Sequence, residues 1–169
     1  PSTIAKREEL IKRKQEDPNF SVEDQFQLMA ESLELLETEA TKPALVRGDW
    51  VVQDRSWPTV EVYQGYEAGF PLETIREHKT RALQPDLNIF LNVPPEEIIK
   101  RTKIAAEEVG REVHAFNPTD LLPLIIRHEA YVRVATRGME NWQIINGLGS
   151  IEKVHERVWQ AVVPLFTPI

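Results

Sequence analysis

The sequence predicts an α/β fold in which a parallel sheet is flanked by helices, a three-layer arrangement. Short β-rich runs that end in turn-forming residues alternate along the chain with helical segments of crossover length. Such crossovers set the strands they join parallel. With 169 residues and 41% hydrophobic content, the chain has material for one ordinary core, so a single domain over 1–169 is expected.

The elements follow in order. Ile4 to Lys14 is helical and strongly charged, and it ends before the turn signal Asp17-Pro18-Asn19. Ser21 is an N-cap with Asp24 three residues on, opening a helix that runs to about Lys42. Phe26, Met29, Leu33, Leu36 and Ala40 recur at helical spacing, while Glu31, Glu34, Glu37 and Glu39 lie on its other faces. Pro43 marks a bend or a last turn, and Arg47-Gly48 a stop. Trp50 to Gln53 is β-rich and predicts a buried strand that ends in Asp54-Arg55.

Helices over Thr59 to Tyr66 and Leu72 to Leu83 come next. A second strand, Leu87 to Val93, follows Gln84-Pro85-Asp86 and closes at Pro94-Pro95, with a helix over Glu96 to Glu108 behind it. Pro118 to Arg137 is amphipathic, with Leu121, Leu124, Ile125, His128, Tyr131 and Val134 on one face. The third strand, Trp142 to Ile145, leaves through Asn146-Gly147-Leu148-Gly149, and Ser150 caps a final helix to Val163.

Composition excludes several classes. A net charge of -7 is the wrong sign for a protein that coats polymeric nucleic acid. No cysteine is present, which removes disulfides and thiolate chemistry. The longest apolar stretches are broken by proline and fall short of the roughly 20 residues of a bilayer helix, and no apolar region follows the basic N-terminal residues. A cytoplasmic protein without membrane attachment is expected. His78, His114, His128 and His155 make no metal-ligand spacing.

The chemistry-bearing residues begin with Asp54-Arg55. An acid at a strand's carboxyl end can hold magnesium through its water shell, and an adjacent arginine can grip phosphate oxygens with a bidentate fork. Such a pair is also a common surface ion pair. The surrounding stretches, Lys42-Pro43-Ala44-Leu45, Gly48-Asp49-Trp50-Val51-Val52, Asp54-Arg55, Thr59 and Tyr63-Gln64-Gly65, resemble the middle of thymidylate kinases. Gln84 to Glu97, Tyr131 to Ala135, Ile145-Asn146 and Ser150 to His155 are similar to later parts of that family, in its order and at its spacing.

The resemblance implies a P-loop kinase-like fold and transfer of the γ-phosphoryl group of ATP, with Mg2+, to dTMP or a related nucleoside monophosphate. It implies that Asp54 works beside the metal and phosphates as a catalytic residue and that Arg55 is both catalytic and a grip on the acceptor. Thr59, Tyr63 and Gln64 then contact the nucleoside, although Thr59 as an N-cap after Pro58, Tyr63 as core packing and Gln64 as a helix-end amide are the ordinary alternatives. A lid is expected over residues 96–120, drawing on Arg101, Lys103 and Arg111, and an adenine loop at Asn146, Gly147 and Leu148. Solvated helix-surface charge is the competing role for the lid cations. Helix 21–42 is where the family packs in a homodimer.

The chain also departs from the family. Leu33 stands where an arginine is usual, and Ser56 follows the Asp-Arg pair where an aromatic is usual, with Trp57 next as a substitute. No Gly-x-x-x-x-Gly-Lys-Ser/Thr sequence is present, and Pro1 to Leu10 looks like the segment after the family's second strand. The resemblance therefore implies a sheet of order 2-3-1-4-5 whose first two strands are absent from this chain. Further residues upstream are expected. The alternatives are a non-catalytic kinase-like scaffold or complex subunit without ATP binding, and a segment supplied by another chain.

Overall fold

The computed structural model describes residues 8–9, 12–13, 16–109, 120–138 and 141–166, without the side chains of 106, 108 and 109. The chain forms two compact units, Pro1–Gln84 and Pro85–Ile169.

In the first unit, α1 (Val22–Leu36) opens on the expected capping box. Ser21 Oγ accepts from the Asp24 N–H at 3.1 Å, and Asp24 Oδ2 accepts from the Ser21 N–H at 3.0 Å. The Ser21 hydroxyl, then the Ser21 amide, hold the Asp24 carboxyl below its ordinary range. The helix continues through a π-helical segment, Glu37–Thr41, into α2 (Lys42–Val46). This wide turn sits just before Pro43, which has no N–H to offer the carbonyl one turn back. It also shifts the helix phase, so the expected apolar face is kept at Phe26, Met29 and Leu33 but not at Ala40. Ala40 is exposed and Leu36 half-buried, whereas Phe26, Leu28, Ala30 and Ser32 are buried.

The stop at Arg47-Gly48 is as predicted. Gly48 has φ 81°, its N–H donates to Leu45 O, and the Asp49 N–H donates to Ala44 O, which together form a Schellman ending. Trp50 to Gln53, expected as a buried strand, is instead exposed and is not in a strand, with Val52 97% accessible. A strand is held by a neighbour's backbone ladder. No described residue of this unit is in a strand.

Ser56 stands at the N-cap position of α3 (Trp57–Val60) without a side-chain capping bond, and the helix runs directly into a second π-helical segment, Glu61–Glu67. Pro58 is tolerated because amides of a helix's first turn have no intrahelical acceptor. α4 (Leu72–Arg81) packs back on this segment. Phe26, Ala30, Trp57, Val60 and Ile75 form the core, with Met29, Leu33, Phe70 and Ala82 packed around it.

In the second unit, β1 (Asn88–Asn92) and β2 (Trp142–Asn146) pair in parallel, with Asn88 opposite Trp142 and Asn92 opposite Asn146. Both expected strands and their relative direction are present. α5 (Pro95–Val109) follows β1, α6 (Leu121–Thr136) packs on both strands, and α7 (Ile151–Val162) packs on β2 and ends in a 3-10 turn, Val163–Phe166. Leu124, Val134 and Ile145 are buried, while Leu121 is 40% exposed at the first turn of α6. The Ser150 cap is confirmed, accepting from the Lys153 N–H at 3.5 Å. Among the described residues no helix is long and apolar enough to cross a membrane.

Candidate functional site

The residues singled out around Asp54 share the first unit. Asp54 and Arg55 stand on an exposed bend rather than at the end of a buried strand, so the strand-end geometry expected for them is not met. Arg55 has φ 65°, and it is the one non-glycine residue with positive φ among those described. This left-handed conformation costs a side-chain-bearing residue about 1–2 kcal/mol. Surrounding contacts hold it: Gln53 Nε2 donates to Arg55 O at 2.9 Å, and Arg55 Cζ lies 5.7 Å from the centre of the Tyr63 ring. A guanidinium at that range over an aromatic face is attracted to it.

Thr59 is buried in the first turn of α3, and its amide donates to Ser56 O at 2.9 Å. Ser56, not Thr59, stands at the N-cap position. Tyr63 is half-buried and meets Arg55, so it is not a residue of the core. Gln64 is half-buried, yet its Oε1 is enclosed and has no hydrogen-bond partner among the described residues. A buried acceptor left unsatisfied costs about 1–3 kcal/mol. Gly65 is needed where α4 comes close, because a Cβ there would run into the Leu72 side chain.

Two departures noted in the sequence have a structural outcome. Leu33 packs against the core cluster. Trp57 is 7% exposed in that same core, its ring tilted against His78 at 5.9 Å, and so it does not serve as a surface aromatic beside the Asp-Arg pair.

The second unit builds the loop after β2. The Gly147 N–H donates to Asn92 O at 3.0 Å, and the Leu148 N–H donates to Asn146 Oδ1 at 2.9 Å. Arg157 Nη1 donates to both Asn146 O and Leu148 O at 2.7 Å. A Cβ at Gly147 would collide with the Val93 side chain, so the loop lies flush against the exit of β1. At that exit Asn92 Oδ1 is 2.7 Å from His128 Nε2. Sequence reading missed Arg157 and Asn92; a basic residue two turns into a helix after a Gly-rich exit, and a polar residue at a strand's end, were the available signals.

Of the lid candidates, Arg101 Nε donates to Glu97 Oε1 at 2.9 Å along the surface of α5, which is helix-surface pairing. Lys103 is exposed on the same helix. Arg111 and the rest of 110–119 lie outside the described residues. No cluster of three or more His, Cys, Asp or Glu able to hold a metal is present among the described residues.

Sequence reading also missed Glu61. It is fully buried, and Arg76 approaches its Oε1 with Nε at 3.1 Å and Nη2 at 3.0 Å. Lys79 Nζ stands 3.9 Å from Oε2.

Comparison with known proteins covers these elements. Residues 3–158 match the family model described as thymidylate kinase. The thymidylate kinase of Caldanaerobacter subterraneus subsp. tengcongensis is 33% identical over 139 residues, 80% of this chain and 64% of that protein. The thymidylate kinase of Oleidesulfovibrio alaskensis is 31% identical over 134 residues, 76% of this chain and 63% of that protein. That of Cupriavidus pinatubonensis is 33% identical over 119 residues, 69% of this chain and 56% of that protein. The chain thus spans 64% and 63% of the length of the first two of these curated relatives. None of the three relatives carries a name that favours the non-catalytic alternative.

Proposed function

This chain belongs to the thymidylate kinase family, and on that basis we propose that it is part of a nucleoside-monophosphate kinase that transfers the γ-phosphoryl group of ATP to dTMP, giving dTDP. The three-layer P-loop kinase sheet is part of the same proposal. The geometric observation that carries it is the strained Arg55 backbone, with the guanidinium set over Tyr63 beside Asp54. Strain of this kind persists where surrounding contacts over-determine it, and functional sites are where it collects.

Arg55 supplies a planar fork for the acceptor phosphate, which positions the attacking oxygen and offsets its charge. Tyr63 offers a ring face for the sugar or base, and Thr59 lies on the same helix three residues after its N-cap position, Ser56. The unsatisfied Gln64 Oε1 accepts a hydrogen bond from an N–H or O–H of the nucleoside, which relieves the cost of leaving that oxygen buried.

Asp54 is exposed, and no ion pair among the described residues takes up its carboxylate. That environment fits Mg2+, which keeps several waters and needs only one or two protein carboxylates. When bound, the metal supplies positive charge to the transferring phosphoryl group. Asn146, Gly147 and Leu148, whose two outer carbonyls are fixed by Arg157, form a rigid edge for the adenine of ATP. Arg101, Lys103 and Arg111 are proposed as lid cations within residues 96–120, and the helix of residues 21–42 as the homodimer contact. Cytoplasmic location belongs to the same reading.

The test is steady-state phosphorylation by the full-length protein with Mg-ATP and, in turn, dTMP, dUMP, dCMP, dAMP and dGMP. Preferential formation of dTDP supports the reading. No product from any monophosphate rejects it.

A further inference from the structure

Glu61 does not belong to the acceptor motif, yet it is 0% exposed in the middle of the helical run that carries Thr59, Tyr63 and Gln64. Acidic residues are almost never buried unless paired, and a well-packed apolar side chain in the same space is often equally stable or more so. A buried ion pair is therefore better explained by what it orients than by the stability it adds. Here α4 supplies two cations to the carboxylate. Arg76 and Lys79, three residues apart and hence on one face of α4, approach Oε1 at 3.0 and 3.1 Å and Oε2 at 3.9 Å respectively.

Gly65, four residues beyond Glu61, also faces α4, since a Cβ there would meet Leu72 and Ile75. Glu61 and Gly65 together define the side of Glu61–Glu67 that lies against α4. Tyr63 is two residues from each, roughly half a helical turn round, and it meets Arg55 on another side. Gln64, next to it, carries the unsatisfied Oε1. Because the segment is π-helical, it departs from regular α-helical packing, and a side-chain tether can decide its rotation about its own axis.

We propose that Glu61, gripped by Arg76 and Lys79, is a positioning residue that fixes this rotation and so aims Tyr63 and Gln64 at the acceptor nucleotide. The proposal rests on the acceptor-site reading given under Proposed function. Its signature is selective, because rotation of the segment displaces the contacts to the monophosphate while leaving ATP contacts on the second unit untouched.

The experiment measures KM for dTMP, KM for ATP and kcat on full-length wild type, Glu61→Gln, Arg76→Gln and Arg76→Lys, well below each variant's Tm. Glu61→Gln and Arg76→Gln are expected to raise KM for dTMP about tenfold, with KM for ATP unchanged and kcat within about twofold. Arg76→Lys, which keeps the charge, is expected to stay within about threefold of wild type. The Glu61→Gln/Arg76→Gln double variant should be no worse than Glu61→Gln alone, since both remove one interaction. Lower Tm in both single variants with an unchanged KM for dTMP shows a structural role only and overturns the proposal. Arg76 is 44% exposed in its side chain, so Arg76→Gln decides the matter if Glu61→Gln does not fold. A wild type that forms no dTDP overturns the acceptor-site reading itself, a result distinct from an active wild type with indifferent variants.

Discussion

Replacing Arg55 by glycine and by alanine separates backbone strain from side-chain chemistry at one position. The φ of 65° costs a residue with a Cβ about 1–2 kcal/mol, and glycine avoids that cost. Both substitutions lose the guanidinium over Tyr63, worth about 0.5–1 kcal/mol at an exposed site. Glycine also gives up about 0.4–1 kcal/mol because its unfolded chain is freer. Arg55→Ala is then expected to be less stable than wild type by about 0.5–1 kcal/mol, since it keeps the strain and loses the contact. Arg55→Gly is expected to stay close to wild type and to exceed Arg55→Ala by about 1 kcal/mol, the reverse of the order at ordinary helix or strand positions. Urea-denaturation midpoints measure the difference, which corresponds to about 2–4 °C in Tm for a protein of this size. Activity should not follow stability. Both variants lose a bidentate phosphate grip of about 3–6 kcal/mol, so kcat/KM for dTMP should fall by about 100- to 10,000-fold in each. An alanine variant as stable as the glycine variant would refute the strain argument.

Three further outcomes follow from other contacts. Phe26→Ala, which empties a fully buried site stacked on Phe70 at 4.4 Å, should cost about 3–5 kcal/mol, and a loss below about 1 kcal/mol in urea would contradict the core assigned to the first unit. Gly147→Ala should push the loop after β2 away from Val93 and raise KM for ATP several-fold while KM for dTMP holds; equal effects on both would contradict the adenine-loop role. Burial opposes ionisation of Glu37, but a hydrogen bond from Lys42, the Leu83 amide and the Lys42 charge outweigh it and lower its pKa below the usual 4.5. Its carboxylate therefore contributes stability that is complete above that value and is lost as pH falls through the lower, folded value. Glu37→Gln should flatten the acid side of the stability-pH curve, and an unchanged acid limb in urea titrations would contradict the link to Leu83.

Local signals in the sequence placed much of the fold. Ser21 and Ser150 cap helices because a hydroxyl satisfies an orphan amide whatever lies beyond. The runs Leu87 to Val93 and Trp142 to Ile145 became strands because each finds the other as a parallel partner. Trp50 to Gln53 has equal β-propensity, but propensity describes fit to a pleated surface and cannot supply a neighbouring strand, so the segment is exposed and does not form one. The π-helical segments were hidden because a regular 3.6-residue period carries no mark of a widened turn, which is why Ala40 was wrongly placed inside.

The site was legible to a similar depth. Tyr63 and Gln64 do lie on one helical segment after Asp54-Arg55, but the left-handed turn at Arg55 has no local signature, because arginine is not a residue that favours it. Trp57 looks available as a surface aromatic in the sequence, but it is buried in the core cluster that holds Phe26, with its ring against His78. Glu61 looked like any helix acid. Its burial depends on Arg76, fifteen residues further along, and that pairing is a property of packing rather than of spacing.

The most direct measurement is a two-dimensional NMR titration of the full-length protein with dTMP. The largest shifts are expected at the backbone amides of Arg55 and Tyr63, the Gln64 side-chain amide and the Arg55 guanidinium. Shifts confined to residues elsewhere, with these four groups unmoved at saturating dTMP, would contradict the assignment of this helix and its preceding turn as the acceptor site.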